Sequence, residues 1–422
     1  MFGSIRGVQT LQRRLGLGAA AAIGVASMLG AGVFFVWAPA TAAAGGAVLI
    51  ALPVAAVIAS LNAASTIRLA VRHPVSGGAY AYGRAELGEV PGFVAGCLFL
   101  LGKTASVAAI GLIAGGYLWP GSERLVAVGL IVVLAAINAT GVRTTAVVSA
   151  IAAAVVVVVL VVVLAGAGAG AGAGGGAAVG AAAIVWSPAG VDAITGVLSA
   201  SGLIFFAFAG YARIATLGEE VRDPRRTLPR AAVLSIAVVL ALCGLTLGVL
   251  LAVLGTTGLA ASTSPLVQVA APGWAPVVRG AVAIACIGSM TGVLAGLSRT
   301  AMAMSRDGEL PGPLAKVSTR TATPIVADVV VAALAVVAVL LLDPARTIGL
   351  SACAVLGYYA IAHLAALRAG RDLGLPRVIP ILGLVGCLAV ALSTPWPALL
   401  AVAVVVALAV AGRALVRRRR RA

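Results

Sequence analysis

The sequence predicts an all-α membrane protein of about twelve transmembrane helices, and three observations predict it. Hydrophobic residues make up 62% of the 422 and charged residues 10%, with a mean hydropathy of +1.16, far more apolar than a soluble domain of ordinary charge content. The apolar residues gather into runs of the roughly 20 residues that a helix needs to cross a hydrocarbon core. The basic residues fall almost entirely between those runs.

In order, the runs lie at 15–37, 44–67, 92–118, 125–137, 144–164, 196–217, 232–254, 277–304, 325–342, 347–367, 378–392 and 397–415. The first is too long for a removable signal and lacks a small-residue cleavage site in the right place, so it counts as a span. The fourth is short for a straight crossing, and tilt or extension is expected. Between the fifth and sixth runs the segment 165–195, rich in alternating Gly and Ala, reads as a flexible outer loop without chemistry. The chain is therefore one membrane domain, 1–422. It divides into a first five-helix group (15–164), that loop, a second five-helix group (196–367), two trailing helices (376–415) and a basic tail (416–422).

A net charge of +17 suggests a nucleic-acid protein until the positions are read. With a cytoplasmic N-terminus, the inner segments hold Arg6, Arg13, Arg14, Arg68, Arg72, Arg84, Arg143 and the cluster Arg222 to Arg230. They continue with Arg299, Arg306, Lys316, Arg320, Arg368, Arg371, Arg377, Arg413 and Arg417 to Arg421, whereas outer segments keep only Arg124, Arg279 and Arg346. This is the positive-inside asymmetry, and it places both termini in the cytoplasm of a cell membrane. The arginine tail reads as a topology anchor on anionic lipids. Basic and aromatic residues do not interleave, so no nucleic-acid partner is expected.

Cys97, Cys243, Cys286, Cys353 and Cys387 lie inside apolar runs without paired spacing and read as small hydrophobes. His73 and His363 stand apart, no Ser/His/Asp or paired-carboxylate set occurs, and neither an enzyme, a metal nor a cofactor is expected.

Two runs interrupt themselves. The first carries Gly24, Ser27 and then Gly30-Ala31-Gly32 before Val33, Phe34 and Phe35; the sixth carries Phe205, Phe206, Ala207, Phe208, Ala209, Gly210 and Tyr211. Non-helical backbone survives at membrane depth only where it is packed in protein or lines a cavity. Gly-interrupted spans at matching places in two halves point to a transporter with inverted repeats, the alternative being that small residues simply let helices pack closely.

Four motifs then occur in order. Gly30-Ala31-Gly32-Val33-Phe34 closes the first-span glycine element. Pro74 with Ser76-Gly77-Gly78-Ala79-Tyr80 precedes span three. Phe205 leads to Glu219-Glu220-Val221, Asp223-Pro224-Arg225-Arg226 and Leu228-Pro229-Arg230. Ser298-Arg299 leads through Ala303-Met304-Ser305-Arg306-Asp307-Gly308 to Leu310-Pro311, with Thr323-Pro324 opening span nine. This order, covering residues 18 to 324, resembles the amino acid, polyamine and organocation (APC) permease superfamily. The resemblance implies a LeuT-like fold, two inverted five-helix repeats plus two trailing helices, with substrate at the breaks of spans one and six.

Physics agrees with that placement. A half-helix N-terminus exposes free N–H groups and a positive dipole end suited to a carboxylate, and unwound carbonyls suit an ammonium. By resemblance, Gly30, Ala31 and Gly32 face the carboxylate, while carbonyls of Ala207, Phe208 and Ala209, ahead of Gly210, and those near Ile23 and Ser27 face the amine. Phe206 is the aromatic lid, unless it only packs between helices.

The sequence also departs from the pattern. Where many relatives place a glutamate two residues after the sixth-span glycine, Ala212 stands here, and 144–164 carries no charge, so the coupling ion stays open. Lys103 lies midway along span three on the helical face of Gly92, Gly96 and Ser106, which points it into the bundle. A charge at that depth costs a few kcal/mol on insertion scales. It is therefore a group for substrate charge recognition or the coupling candidate, with a proton as the ion, or else a snorkelling or structural ammonium; Arg213 is expected to snorkel or to pair with Glu219 or Glu220. None of the twelve acidic residues falls at mid-span.

These readings converge on a secondary active transporter of α-amino acids, neutral ones, in a membrane whose lipids are its other partner. The alternatives are an exchanger of cationic amino acids or polyamines and, from another class, a membrane sensor that binds amino acids without moving them.

Overall fold

The computed structural model describes residues 15–30, 32–73, 77–140, 154–167, 191–215, 221–321 and 323–421. Within them the regular elements are all helices, joined at one point by a β-bridge between Leu15 and Val221. They are α1 (Leu17–Met28), α2 (Gly32–Phe35), α3 (Trp37–Ala44), α4 (Val48–Arg72), α5 (Ala79–Leu87), α6 (Glu89–Leu118), α7 (Glu123–Ala139) and α8 (Ala154–Ala167). Next come α9 (Val191–Phe208), α10 (Ala212–Ala215), α11 (Pro224–Ala261), α12 (Pro265–Gln268) and α13 (Ala275–Arg306). The chain ends with α14 (Ile325–Leu341), α15 (Pro344–Ala369), α16 (Val378–Leu392) and α17 (Trp396–Arg421). Among the described residues seven helices are long and apolar enough to cross a membrane, and α1, α8, α14 and α16 are shorter apolar helices. The protein is a multi-pass membrane protein. Helix is the outcome because each backbone N–H then finds its carbonyl within its own segment.

Three departures from simple spans matter. The first run is not one helix: α1 stops at Met28, and helix resumes at Gly32 and continues through Val36, whose N–H bonds Gly32 C=O at 3.1 Å, to Ala44. The 38 residues of α11 contain Gly255 at φ 65°, ψ 178°, so that element is two helices across a kink. Between α4 and α6 stands α5, a short helix where the sequence reading had only a connection.

Small residues set the closest approaches. A Cβ on Gly102 of α6 would sit 2.8 Å from Val355 of α15, and one on Gly115 would strike the Glu123 backbone of α7. Without those side chains α6 lies directly against both neighbours, the small-residue packing that replaces hydrophobic drive inside lipid. Polar side chains add to it: Ser201 of α9 donates to Ala51 C=O of α4 at 3.1 Å, and Ser235 of α11 donates to Ala21 C=O of α1 at 2.9 Å.

At one end of the bundle the second and fourth motifs dock on each other. Gly78 holds φ 58°, a left-handed conformation that favours glycine, and any Cβ there would collide with Tyr358 Oη. That hydroxyl instead accepts from Ala79 N at 2.8 Å, while Tyr80 Oη donates to Asp307 at 2.5 Å. Burial, and then the bond to Asp307, push the Tyr80 phenol well up. The Glu309 carboxylate, 1% exposed, accepts from Arg84 at 2.8 Å, from Arg413 at 2.7 and 2.9 Å and from Arg417 at 3.0 Å. Burial opposes its charge, but the hydrogen bonds from Arg413 and Arg84 and the charge of Arg417 prevail and hold it below the ordinary carboxylate range. Arg413 also lies 5.4 Å over the Phe93 ring, and both Arg413 and Arg417 reach Glu89. This charge cluster ties α5, α6, the α13–α14 connection and α17 together.

Candidate functional site

The interruption of the first span begins where Leu29 leaves the helix at φ −76°, ψ 56°, and Gly30 N–H turns back to Met28 C=O at 2.8 Å. Gly32 then opens the next helix, whose first N–H groups have no intrahelical acceptor. Ala31 lies outside the described residues. The sixth span is interrupted differently: α9 tightens into one 3₁₀ turn, Ala209–Tyr211, before α10, with Phe208 and Ala212 both still in helical backbone. A 3₁₀ turn redirects carbonyls without exposing a gap.

The two interruptions touch through backbone. A Cβ on Gly32 would sit 2.7 Å from Ala207 Cα, and one on Gly210 would collide with the Ser27 carbonyl and lie 2.6 Å from Met28 N. Gly30 faces Ser289 of α13, whose Oγ would be 2.6 Å from an added Cβ. Ser27 Oγ donates to Ile23 C=O at 2.8 Å, so the Ile23 carbonyl is occupied within its own helix.

Beside this contact lies a cavity of about 10 Å³, room for one water, lined by Lys103 and Ser106 of α6, Phe205, Phe206 and Ala209 of the sixth span, and Ser351, Ala352 and Val355 of α15. The helical repeat explains the division of labour. Phe206 and Ala209, three apart, face the cavity; Ala207 and Gly210, also three apart, face the first span; Phe208 is fully buried. Lys103 thus meets the sixth span, together with Ser106 from the face on which the sequence placed it. Gly92 and Gly96 of that face pack elsewhere, against Arg84 and against Met304 and Tyr80. Among the described residues the Lys103 ammonium has no hydrogen-bond or ion-pair partner. Arg213 sits in α10, and Glu219 and Glu220 lie outside the described residues.

Sequence reasoning missed Ser351, which stands 2.6 Å from Ser106 Oγ. It also missed the aromatic run Phe205, Tyr211, Tyr359 and Tyr358, with ring centroids 5.1–6.5 Å apart, that joins the sixth span to α15. A second buried polar group went unseen: His363 of α15 lies 2.6 Å from Asn62 Oδ1 and 3.0 Å from Ser65 Oγ of α4, in space left by Gly383. The only available signal was a lone polar residue in an apolar run, which carries no partner information.

The family model described as amino acid permease matches residues 15–416. An uncharacterized transporter of Mycobacterium tuberculosis is 46% identical over 420 residues, 97% of this chain and 93% of that protein. The branched-chain amino acid permease BcaP of Bacillus subtilis is 27% identical over 351 residues, 78% of this chain and 74% of that one. The vacuolar cationic amino acid transporter 4 of Arabidopsis thaliana is 27% identical over 372 residues, 81% of this chain and 60% of that one.

Proposed function

The chain belongs to the amino acid permease family, and from that premise we propose that it is a secondary active transporter of α-amino acids working by alternating access. Its helices make twelve crossings, an inverted five-plus-five repeat followed by two C-terminal helices, with both termini cytoplasmic; the arginine distribution supports that orientation. The substrate carboxylate binds the N–H groups opening at Gly30 to Gly32, and its ammonium binds carbonyls of the facing 3₁₀ turn. The observation that carries this reading is the backbone contact between the two interruptions, Gly32 on Ala207 and Gly210 on Ser27, beside the Lys103 cavity. A cavity that holds one water is closed to an amino acid, so loading requires the helices around it to part.

Among the described residues lining the cavity, Lys103 alone is charged, which opposes a cationic side chain and leaves neutral or acidic ones as substrates. The plant relative's name points toward the cationic alternative, but among the described residues no carboxylate lines the cavity to receive such a side chain. Lys103 is also the coupling candidate, gaining and losing a proton as the cavity wets and dries. Uptake of a labelled amino-acid panel in proteoliposomes, with and without a pH gradient, tests the proposal. Neutral amino acids are expected to compete better than arginine, lysine or putrescine, and the reverse ranking would hand the case to the cationic exchanger.

A further inference from the structure

We infer that Lys103, Ser106 and Ser351 form a side-chain subsite for substrates whose side chain ends in a carboxylate or carboxamide oxygen. The inference rests on the reading above, that an amino acid binds between the first and sixth spans.

Lys103 stands midway along α6 beside Phe205 and Phe206, and among the described residues nothing accepts a hydrogen bond from its ammonium. An ammonium presents three donors and no acceptor, and leaving them dry is costly. A ligand supplies what the described residues do not.

The serines narrow the class of ligand. Ser106 is 2% exposed and Ser351 1%. Ser106 Oγ donates to Gly102 C=O at 3.0 Å and lies 2.6 Å from Ser351 Oγ, so the hydroxyl hydrogens run from Ser351 to Ser106 to the carbonyl. Ser351 is the free end of that chain: its hydrogen is held by Ser106 and its lone pairs are open, so it accepts from an incoming N–H and donates to an incoming oxygen only by releasing Ser106. A carboxamide satisfies both at once, its oxygen accepting from the ammonium and its N–H reaching Ser351, and a carboxylate satisfies the ammonium while Ser351 turns from Ser106 to donate to it. A guanidinium or ammonium side chain brings only donors, and an apolar side chain would bury Lys103 unpaired. The remaining lining, Ala352, Val355 and Ala209, contributes side chains without polar atoms.

The test is exchange in proteoliposomes without a pH gradient, in which each amino acid of a panel is labelled in turn and glutamate, glutamine, leucine and methionine compete. The expected result is that glutamate and glutamine compete at least about tenfold better than methionine and leucine, the value of a hydrogen bond to a charged group. Lys103→Met is expected to reverse that ranking, and Ser351→Ala to reduce it by a smaller factor, which keeps the test alive if the lysine variant does not fold. A lead for glutamate makes the subsite a charge pair and a lead for glutamine makes it a hydrogen-bond site; either supports the inference. Methionine and leucine ahead in the unaltered protein would overturn it. So would an equal loss for every amino acid in Lys103→Met, since the ammonium would then serve the shared α-carboxylate or the coupling step. Exchange of no amino acid at all would overturn the transporter reading as well.

Discussion

Two regions of this molecule handle charge in opposite ways. At the bundle end, Glu309 is surrounded by Arg84, Arg413 and Arg417, and Glu89 and Asp307 complete the cluster. In the interior, Lys103 faces a small cavity with two serines and two phenylalanines, and among the described residues it is paired with nothing. The first arrangement holds α5, α6, α17 and the α13–α14 connection in one geometry, because removing a partner from a buried pair exposes the other to its full desolvation cost. The second tolerates that cost in place. An interior charge left without a partner is what a site that must bind and release a ligand requires, and a saturated cluster is what a fixed junction requires.

The contrast can be broken most severely where neither charge is involved. Gly32→Leu and Gly210→Leu are expected to abolish transport while the protein still inserts, because their side chains would occupy the backbone contact between the first and sixth spans. Uptake normalised to the amount of protein in the membrane checks this, and full uptake in both variants would remove the site from this place.

The two charges should then give opposite signs in stability. Glu309→Gln is expected to cost on the order of 3 kcal/mol, read as a lower melting temperature in detergent, since it removes the negative charge and one of the two acceptor oxygens that three arginines share. Lys103→Met is expected to raise stability by roughly 1 to 3 kcal/mol, the insertion cost of an unpaired charge, while gradient-driven accumulation is lost and exchange persists. A Lys103→Met protein that is less stable and accumulates substrate with an unchanged pH profile would make the lysine structural.

The pH dependence of the junction follows from the depressed Glu309 carboxylate. A group whose folded pKa lies below its unfolded value of about 4.3 contributes stability that is fully present above that value and lost as the pH falls through the folded one. Melting temperature should therefore be insensitive to this group between about pH 8 and 5 and fall only in more acid solution; Glu309→Gln should flatten that acid limb. The smallest effect is expected from Arg417→Ala. Its side chain is 36% exposed and Glu309 keeps Arg84 and Arg413, so the loss should stay below about 1 kcal/mol.

Much of this was legible from the chain alone, for a physical reason: in lipid each span must satisfy its own backbone, so hydropathy and length locate helices without knowledge of their neighbours. The run at 378–392 coincides with α16, and 325–342 differs from α14 by one residue. Arginine positions likewise act segment by segment. The glycine elements marked the first-span interruption for the same local reason, and the mid-span position of Lys103 marked it as anomalous.

What the tertiary structure decided are relations between distant segments. That Ser106 meets Ser351 across 245 residues, that Gly210 rests on Ser27 and that Glu309 collects three arginines from α5 and α17 depends on how helices cross, which a hydropathy pattern does not encode. The form of the sixth-span interruption was also decided there, a 3₁₀ turn with its backbone pressed against the first span. Glycine at 210 permits many conformations, and the choice among them was made by the first-span carbonyl packed against it.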